Sequence, residues 1–199
     1  MKTHILGYPR IGQHRETKKV LEKYWSGKQS LEDVLRTGKE QRQYNWQVQK
    51  DAGLDLVPVN DFSFYDHILD MVMTVGAIPR RFQVLKHLNE HDLYFAMARG
   101  YQKEGHDTIP MEMTKWFDTN YHYIVPEFTS DQKFEYHSDK IINEFNEAKS
   151  FGVNPKPVII GPVSFLLLGK EKEEGFDRLD LIEALLPVYL EILSKLKDA

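Results

Sequence analysis

Between Met111 and Tyr123 the chain packs four aromatic rings, one lysine, two carboxylates, an amide and an imidazole into thirteen residues. The polar positions follow neither a period of two nor a period of 3.6, so the segment predicts neither an ordinary strand nor an amphipathic helix. Aromatic faces interleaved with hydrogen-bonding groups suit a pocket for a flat, anionic small molecule. A core-lining loop that keeps its Tyr and Trp polar tips wet has the same composition, so both readings stand on residue types alone.

A second group of residues speaks to anion binding. Gly7-Tyr8-Pro9-Arg10-Ile11-Gly12 follows a short apolar run, His4-Ile5-Leu6, and leads into Arg15-Glu16-Thr17-Lys18-Lys19. Two glycines and a proline shape a tight turn, and cations then occupy the first helical turn. Cations there oppose the helix dipole by up to ~1 kcal/mol, which a bound anion would offset. Glu16 can supply part of that offset from within the chain.

Other candidates carry weaker signals. Asp61, Asp66 and Asp70 follow a strand-like run, and general acid–base work is conceivable there. Asp66 and Asp70, four apart, fit one solvated helix face equally well. Trp116 could stack on a planar ligand or simply pack. His122 has no metal-ligating partner at a useful spacing and reads as a hydrogen-bonded structural residue. Tyr8 and Pro9 read as turn formers and Lys19 as a solvated lysine. His4, His67 and Asp118 receive no role.

The elements that must hold these groups alternate between strand and helix. Strands are expected at 3–6, 54–59 and 156–161, the last a β-branched run bounded by proline and glycine. Helices are expected at 13–25, 30–52, 64–75, 92–99, 138–151 and 177–197. Ser30 and Asp33 resemble a capping box, and Gly38 should weaken the second helix by ~1 kcal/mol relative to alanine. Pro187 should kink or divide the last helix. Residues 101–108 read as an exposed loop. Each expected strand ends in a polar or glycine-bearing turn, which is where parallel α/β folds build their sites.

Bulk composition narrows the classes. The chain has 199 residues, of which 41% are hydrophobic and 12% aromatic, enough for a sizeable core. A formal net charge of −4, with no arginine-rich stripe, argues against nucleic acid. No apolar stretch approaches the ~20 residues that span a bilayer, and no signal-peptide core is visible, so the expected compartment is the cytoplasm. There are no cysteines, hence no disulfide and no thiolate metal site.

Four long stretches carry a resemblance: GYPRIGxxRExKxxLExYW at 7–25, NDFSxYDxxLD at 60–70, MEMTKWFDTNYHYIVPE at 111–127 and GPVSFLLLGK at 161–170. In this order they resemble the cobalamin-independent methionine synthases, the 5-methyltetrahydropteroyltriglutamate–homocysteine methyltransferases. The resemblance covers nearly the whole chain but only the beginning of the family's protein. It implies an α/β fold, part of a TIM-type (β/α)8 barrel after three or four strand–helix units, with residues 1–199 forming the start of the folate-binding N-terminal barrel. An unclosed sheet of that kind would favour oligomers through its edges.

The resemblance also implies partners and residues. The co-substrate would be 5-methyltetrahydropteroyltri-L-glutamate, its tail held by Arg15, Glu16, Thr17, Lys18, Lys115 and Asn120. Thr17 stands where the family often carries an apolar residue, and Glu16 would repel the tail unless it orients Arg15 or Lys18 or offers only backbone. Homocysteine would bind through the C-terminal half, on a zinc ion whose ligands lie there. This part would then bind folate and not transfer methyl groups alone. Two alternatives remain: an assembly module docking on the C-terminal half, and a self-sufficient hydrolase or lyase using Asp61 and Asp66.

Overall fold

The computed structural model describes residues 1–199. In chain order the elements are α1 (Glu16–Trp25), α2 (Leu31–Asp51), β1 (Val57–Val59), α3 (His67–Thr74), a 3-10 turn (Arg80–Leu85), α4 (Glu90–Arg99), β2 (Tyr101–Lys103) and β3 (His106–Thr108). There follow β4 (Met113–Lys115), β5 (His122–Ile124), β6 (Glu127–Phe128), α5 (Lys140–Phe151), β7 (Pro155–Pro157), α6 (Pro162–Leu167), β8 (Lys170–Glu171), a second 3-10 turn (Arg178–Leu181) and α7 (Ile182–Asp198). The chain divides into two compact units. The first comprises residues 1–64, 140–159 and Ala199; the second comprises 65–139 and 160–198.

In the first unit β1 and β7 pair in parallel, and His4 bridges to Leu56 in parallel beside them. Three chain segments thus run side by side, but the expected strand at 3–6 shrinks to that single bridge. The reason is visible in Leu6, which lies 83% exposed: the run has no apolar surface to cover and gains nothing by extending. The expected strand at 156–161 is also corrected. The paired residues are 155–157, and only the Val158 N–H, donating to the Val59 carbonyl at 2.8 Å, extends the ladder. Val158, Ile159 and Ile160 are half-buried instead of fully covered.

α2 starts with the expected capping box, the Ser30 hydroxyl accepting the Asp33 N–H while the Asp33 carboxylate accepts the Ser30 N–H. Its buried positions Val34, Gly38, Gln41, Asn45 and Gln49 recur at helical spacing. Gly38 causes no break. A Cβ there would stand 2.5 Å from the Phe64 ring, so the glycine admits a phenylalanine edge against the helix backbone. Trp46, Val57, Val59 and Ala148 form this unit's apolar centre, with Phe145, Phe151 and Val153 packed around it.

In the second unit α3 is mostly apolar, with Ile68, Leu69 and Met71–Thr74 buried and Asp70 half-buried. Residues 101–108 form an antiparallel hairpin, β2 with β3, not a loop. Its two-residue turn, Glu104-Gly105, has both φ positive (54° and 80°), the geometry that matches strand twist in tight hairpins. The segment 111–123 is likewise a hairpin, β4 against β5, closed by residues 116–121. β6 and β8 pair in parallel. α7 runs continuously through Pro187. The architecture is therefore mixed α/β, with four two-stranded sheets, two parallel and two antiparallel.

Candidate functional site

The glycine turn in the first unit is tied down along its length. The Tyr8 N–H donates to Oδ2 of Asp61 (2.7 Å), the Asn45 amide donates to the Pro9 carbonyl (3.2 Å), and Arg10 reaches the Ser63 carbonyl (3.1 Å). Gln41 donates to Asn45 (2.8 Å), and Gln49 to the Asn45 carbonyl (3.0 Å). This explains an otherwise odd helix: the inward face of α2 is lined with amides because it must satisfy a turn that no strand satisfies.

α1 then begins abruptly. Its N-cap, Arg15, is left-handed (φ 64°, ψ 38°) and no side chain caps the helix. Thr17 is fully buried, and its hydroxyl donates to the Arg10 carbonyl (2.8 Å). Its role is to lock the turn onto the helix. The Glu16 carboxylate accepts the His14 N–H (3.0 Å) and lies over Gly12. Hydrogen bonding from the Glu16 and His14 backbone, with His14 and Lys19 nearby, holds its carboxyl below the usual range against slight burial. Arg15 and Lys18, three residues apart, are exposed on the first turn, and Lys18 meets Glu22 at 3.6 Å. Exposed at both ends, that i,i+4 pair is weak.

Behind the turn, at the end of β1, is a charged cluster that sequence reasoning missed. Asn60 donates to the Ile141 carbonyl and to Glu144 (3.2 and 3.3 Å). Buried Glu144 also meets Lys140 (3.1 Å) and Arg42 (3.7 Å), and Arg42 pairs with Glu147. Burial pushes the Asp61 carboxyl up to about 6; Glu144 adds to this, while the Tyr8 and Asp61 N–H groups and Lys140 oppose it.

In the second unit, Lys115 and Asn120 sit on the β4–β5 hairpin. Lys115 is exposed and faces His122 across the ladder. Asn120 is exposed in the closing loop, and its carbonyl contacts Nδ1 of His122 (3.1 Å), which gives His122 the structural role expected of it. Trp116 is half-buried, edge-on to Tyr123 and Phe117 with centroids 5.7 and 5.3 Å apart, and tilted against His67 at 5.5 Å. It packs.

Asp66 is not on a solvated face. It is 1% exposed and caps α3, with Oδ2 accepting the Leu69 and Ile124 N–H groups (2.9 and 3.1 Å) and Oδ1 accepting the Tyr121 hydroxyl (2.7 Å). Burial raises its carboxyl above the ordinary range, opposed by Tyr121, His67 and the two amides. With both oxygens committed, it is unsuited to acid–base work. The sequence held one signal for it: an aspartate immediately before an apolar run is an N-cap pattern.

No group of three or more His, Asp or Glu side chains lies close enough to hold a metal ion. The zinc that the family resemblance implies has its expected ligands in the C-terminal half, outside these residues. No helix is long and apolar enough to cross a membrane.

These observations describe a mixed α/β chain with exposed cations beside a glycine turn in one unit and an exposed lysine and amide on an aromatic hairpin in the other. Residues 2–199 match the family described as the N-terminal domain of cobalamin-independent synthase, and the chain belongs to that family. Its relatives include proteins named 5-methyltetrahydropteroyltriglutamate–homocysteine methyltransferase. The one from Flavobacterium johnsoniae is 65% identical over 99% of this chain, and that from Cytophaga hutchinsonii 61% identical over all of it. A third, from Nitrosomonas europaea, is 54% identical over 98% of this chain. The chain spans only about a quarter of these relatives' length, 26%, 26% and 25% respectively.

Proposed function

We propose that this chain supplies the folate polyglutamate-tail site of an enzyme that moves a methyl group from 5-methyltetrahydropteroyltri-L-glutamate to homocysteine, making methionine. The observation that carries the reading is the start of α1, where Arg15 and Lys18 are exposed around a helix end that no side chain caps. A triglutamate tail carries several carboxylates, which pair with guanidinium and ammonium groups through charge-assisted hydrogen bonds and favour a helix N-terminus. In the second unit, considered by itself, exposed Lys115 offers a cation for a tail carboxylate and Asn120 an amide for the tail's peptide groups. Thr17 and Glu16 act by holding the turn, leaving their backbone as the part that meets ligand.

The parallel arc of His4, β1 and β7, with polar turns after its strands, supports reading residues 1–199 as part of a (β/α)8 barrel. Activation of the homocysteine thiol, and the zinc that would serve it, are assigned to the remaining length of such a protein.

Calorimetric titration of the chain at low salt tests this, comparing triglutamate and monoglutamate forms of 5-methyltetrahydrofolate. The triglutamate should bind more tightly, and Lys18→Ala with Lys115→Ala should abolish the difference. Equal affinity for both forms in the unsubstituted, folded chain overturns the reading.

A second reading, docking onto the greater part of a longer polypeptide, rests on a different observation. Leu186, Leu190 and Leu193 on α7, and Val163 and Leu167 on α6, are 38–66% exposed. Exposed apolar stripes of this kind mark contact surfaces.

A further inference from the structure

Asp66 joins three pieces of the second unit through one carboxylate: the first turn of α3, the end of β5 and, through the Tyr121 hydroxyl, the loop that closes the β4–β5 hairpin. At its base Trp116 packs against His67 and Tyr123, and the rest of the loop is laced by its own hydrogen bonds. The Trp116 N–H donates to the Tyr121 carbonyl (2.7 Å), and the Thr119 N–H and hydroxyl both donate to the Trp116 carbonyl (3.1 and 2.6 Å). Its outer residues Phe117 to Asn120 are exposed, and Phe117 has a left-handed φ of 50°. Residues 117–120 bury no apolar surface that would fix them, so their position relative to the core depends on the Trp116 and Tyr121 ends of the loop, of which Tyr121 is the one hydrogen-bonded to Asp66.

The anchor has a defined proton order. Tyr121 has one hydroxyl proton, and it goes to Oδ1 of Asp66. Nδ1 of His67 lies 3.0 Å from the Tyr121 hydroxyl oxygen, whose proton is already given to Asp66, so the histidine is the donor there. The chain of donation runs from His67 to Tyr121 to Asp66. The stacked His67 and Tyr121 rings, 5.7 Å apart, hold it in line.

We propose that Asp66, Tyr121 and His67 are positioning residues for ligand binding, fixing the hairpin so that Lys115 and Asn120 meet the carboxylates and amides of the polyglutamate tail. This rests on the tail-binding reading above and extends it to residues that touch no ligand. Lys115 is one residue before the clamped loop and Asn120 one residue before Tyr121. A loop released from Asp66 would spread both over many orientations, and ordering them again would cost affinity on binding.

The test is Tyr121→Phe, which keeps the ring and its stacking and removes only the hydroxyl, with His67→Phe as a second variant. Amide hydrogen exchange and titration with the triglutamate folate are measured on the full chain. Expected are faster exchange at residues 116–121 with the β2–β3 hairpin unchanged, and triglutamate affinity roughly tenfold weaker. Tyr121→Phe added to a Lys115→Ala, Asn120→Ala variant should then cost nothing further, because the anchor acts through those two residues. Unchanged exchange in Tyr121→Phe, or fully additive losses in the combined variant, overturns the proposal. Absence of triglutamate affinity in the unsubstituted chain overturns the tail-binding reading and this ligand role with it; the exchange data then separately decide whether the clamp exists.

Discussion

Asp61 accepts the Tyr8 N–H at the hinge of the glycine turn, and burial has raised its carboxyl to about 6 from an ordinary 3.8. The folded state therefore binds a proton that the unfolded state releases between these values. Stability should fall as pH rises from about 4 to about 6, by at most ~3 kcal/mol, and this contribution should then level off. Asp61→Asn keeps an oxygen for the Tyr8 N–H and carries no charge. Urea denaturation across this range should show the variant gaining on the parent until about pH 6; parallel stability curves would sink the assignment. Gly12 is the other decisive residue of the turn. Its φ is 85°, and a Cβ would collide with the Glu16 carboxylate and the Gln41 amide. Gly12→Ala should cost about 1–3 kcal/mol, read as a lower urea midpoint.

Among elements, α2 sets two effects against each other at Gly38. Helix propensity alone says Gly38→Ala gains about 1 kcal/mol. The Phe64 ring, 2.5 Å from the added carbon and buried, says the helix must move or the ring must turn. Overpacking of this kind typically costs 1–3 kcal/mol, so the net change should be destabilising. A higher thermal midpoint for Gly38→Ala would show that the ring gives way freely. The β4–β5 hairpin shows why its sequence had no readable period. It is three residues long on each side, and its loop residues are chosen for ring packing and self-bonding, not for a sheet face. Two-residue patterning needs a longer strand with one covered side before it becomes legible.

At the scale of the whole molecule, each unit has its own buried centre, and the leucines of α7 remain open. If that stripe is a contact surface, the purified chain should associate with itself as concentration rises, through a partner-seeking apolar face. Sedimentation velocity should then show association that Leu190→Glu with Leu193→Glu abolishes while leaving the helical circular dichroism unchanged. A monomer at every concentration would remove the support for the docking reading.

The sequence by itself determined six of the seven α-helices, α6 being missed, together with several caps and the family. Ser30 with Asp33, the residues before Gly53 and the 3.6-residue periods of α2 and α5 depend on neighbours a few positions away, so local pattern suffices to read them. Through the family resemblance it also implied Arg15, Lys18, Lys115 and Asn120 as groups for an anionic, peptide-like ligand. The tertiary structure alone decided what depends on distant neighbours. Leu6 was denied a strand, and Val158–Ile160 were left half-covered, because no third layer lies over them. The Thr17 hydroxyl and the Glu16 carboxylate were given partners within the turn. Asp66, a solvated helix residue by spacing, was buried and given three donors from segments up to 58 residues away. A carboxylate's burial and its partners are properties of packing, and spacing along the chain does not encode them.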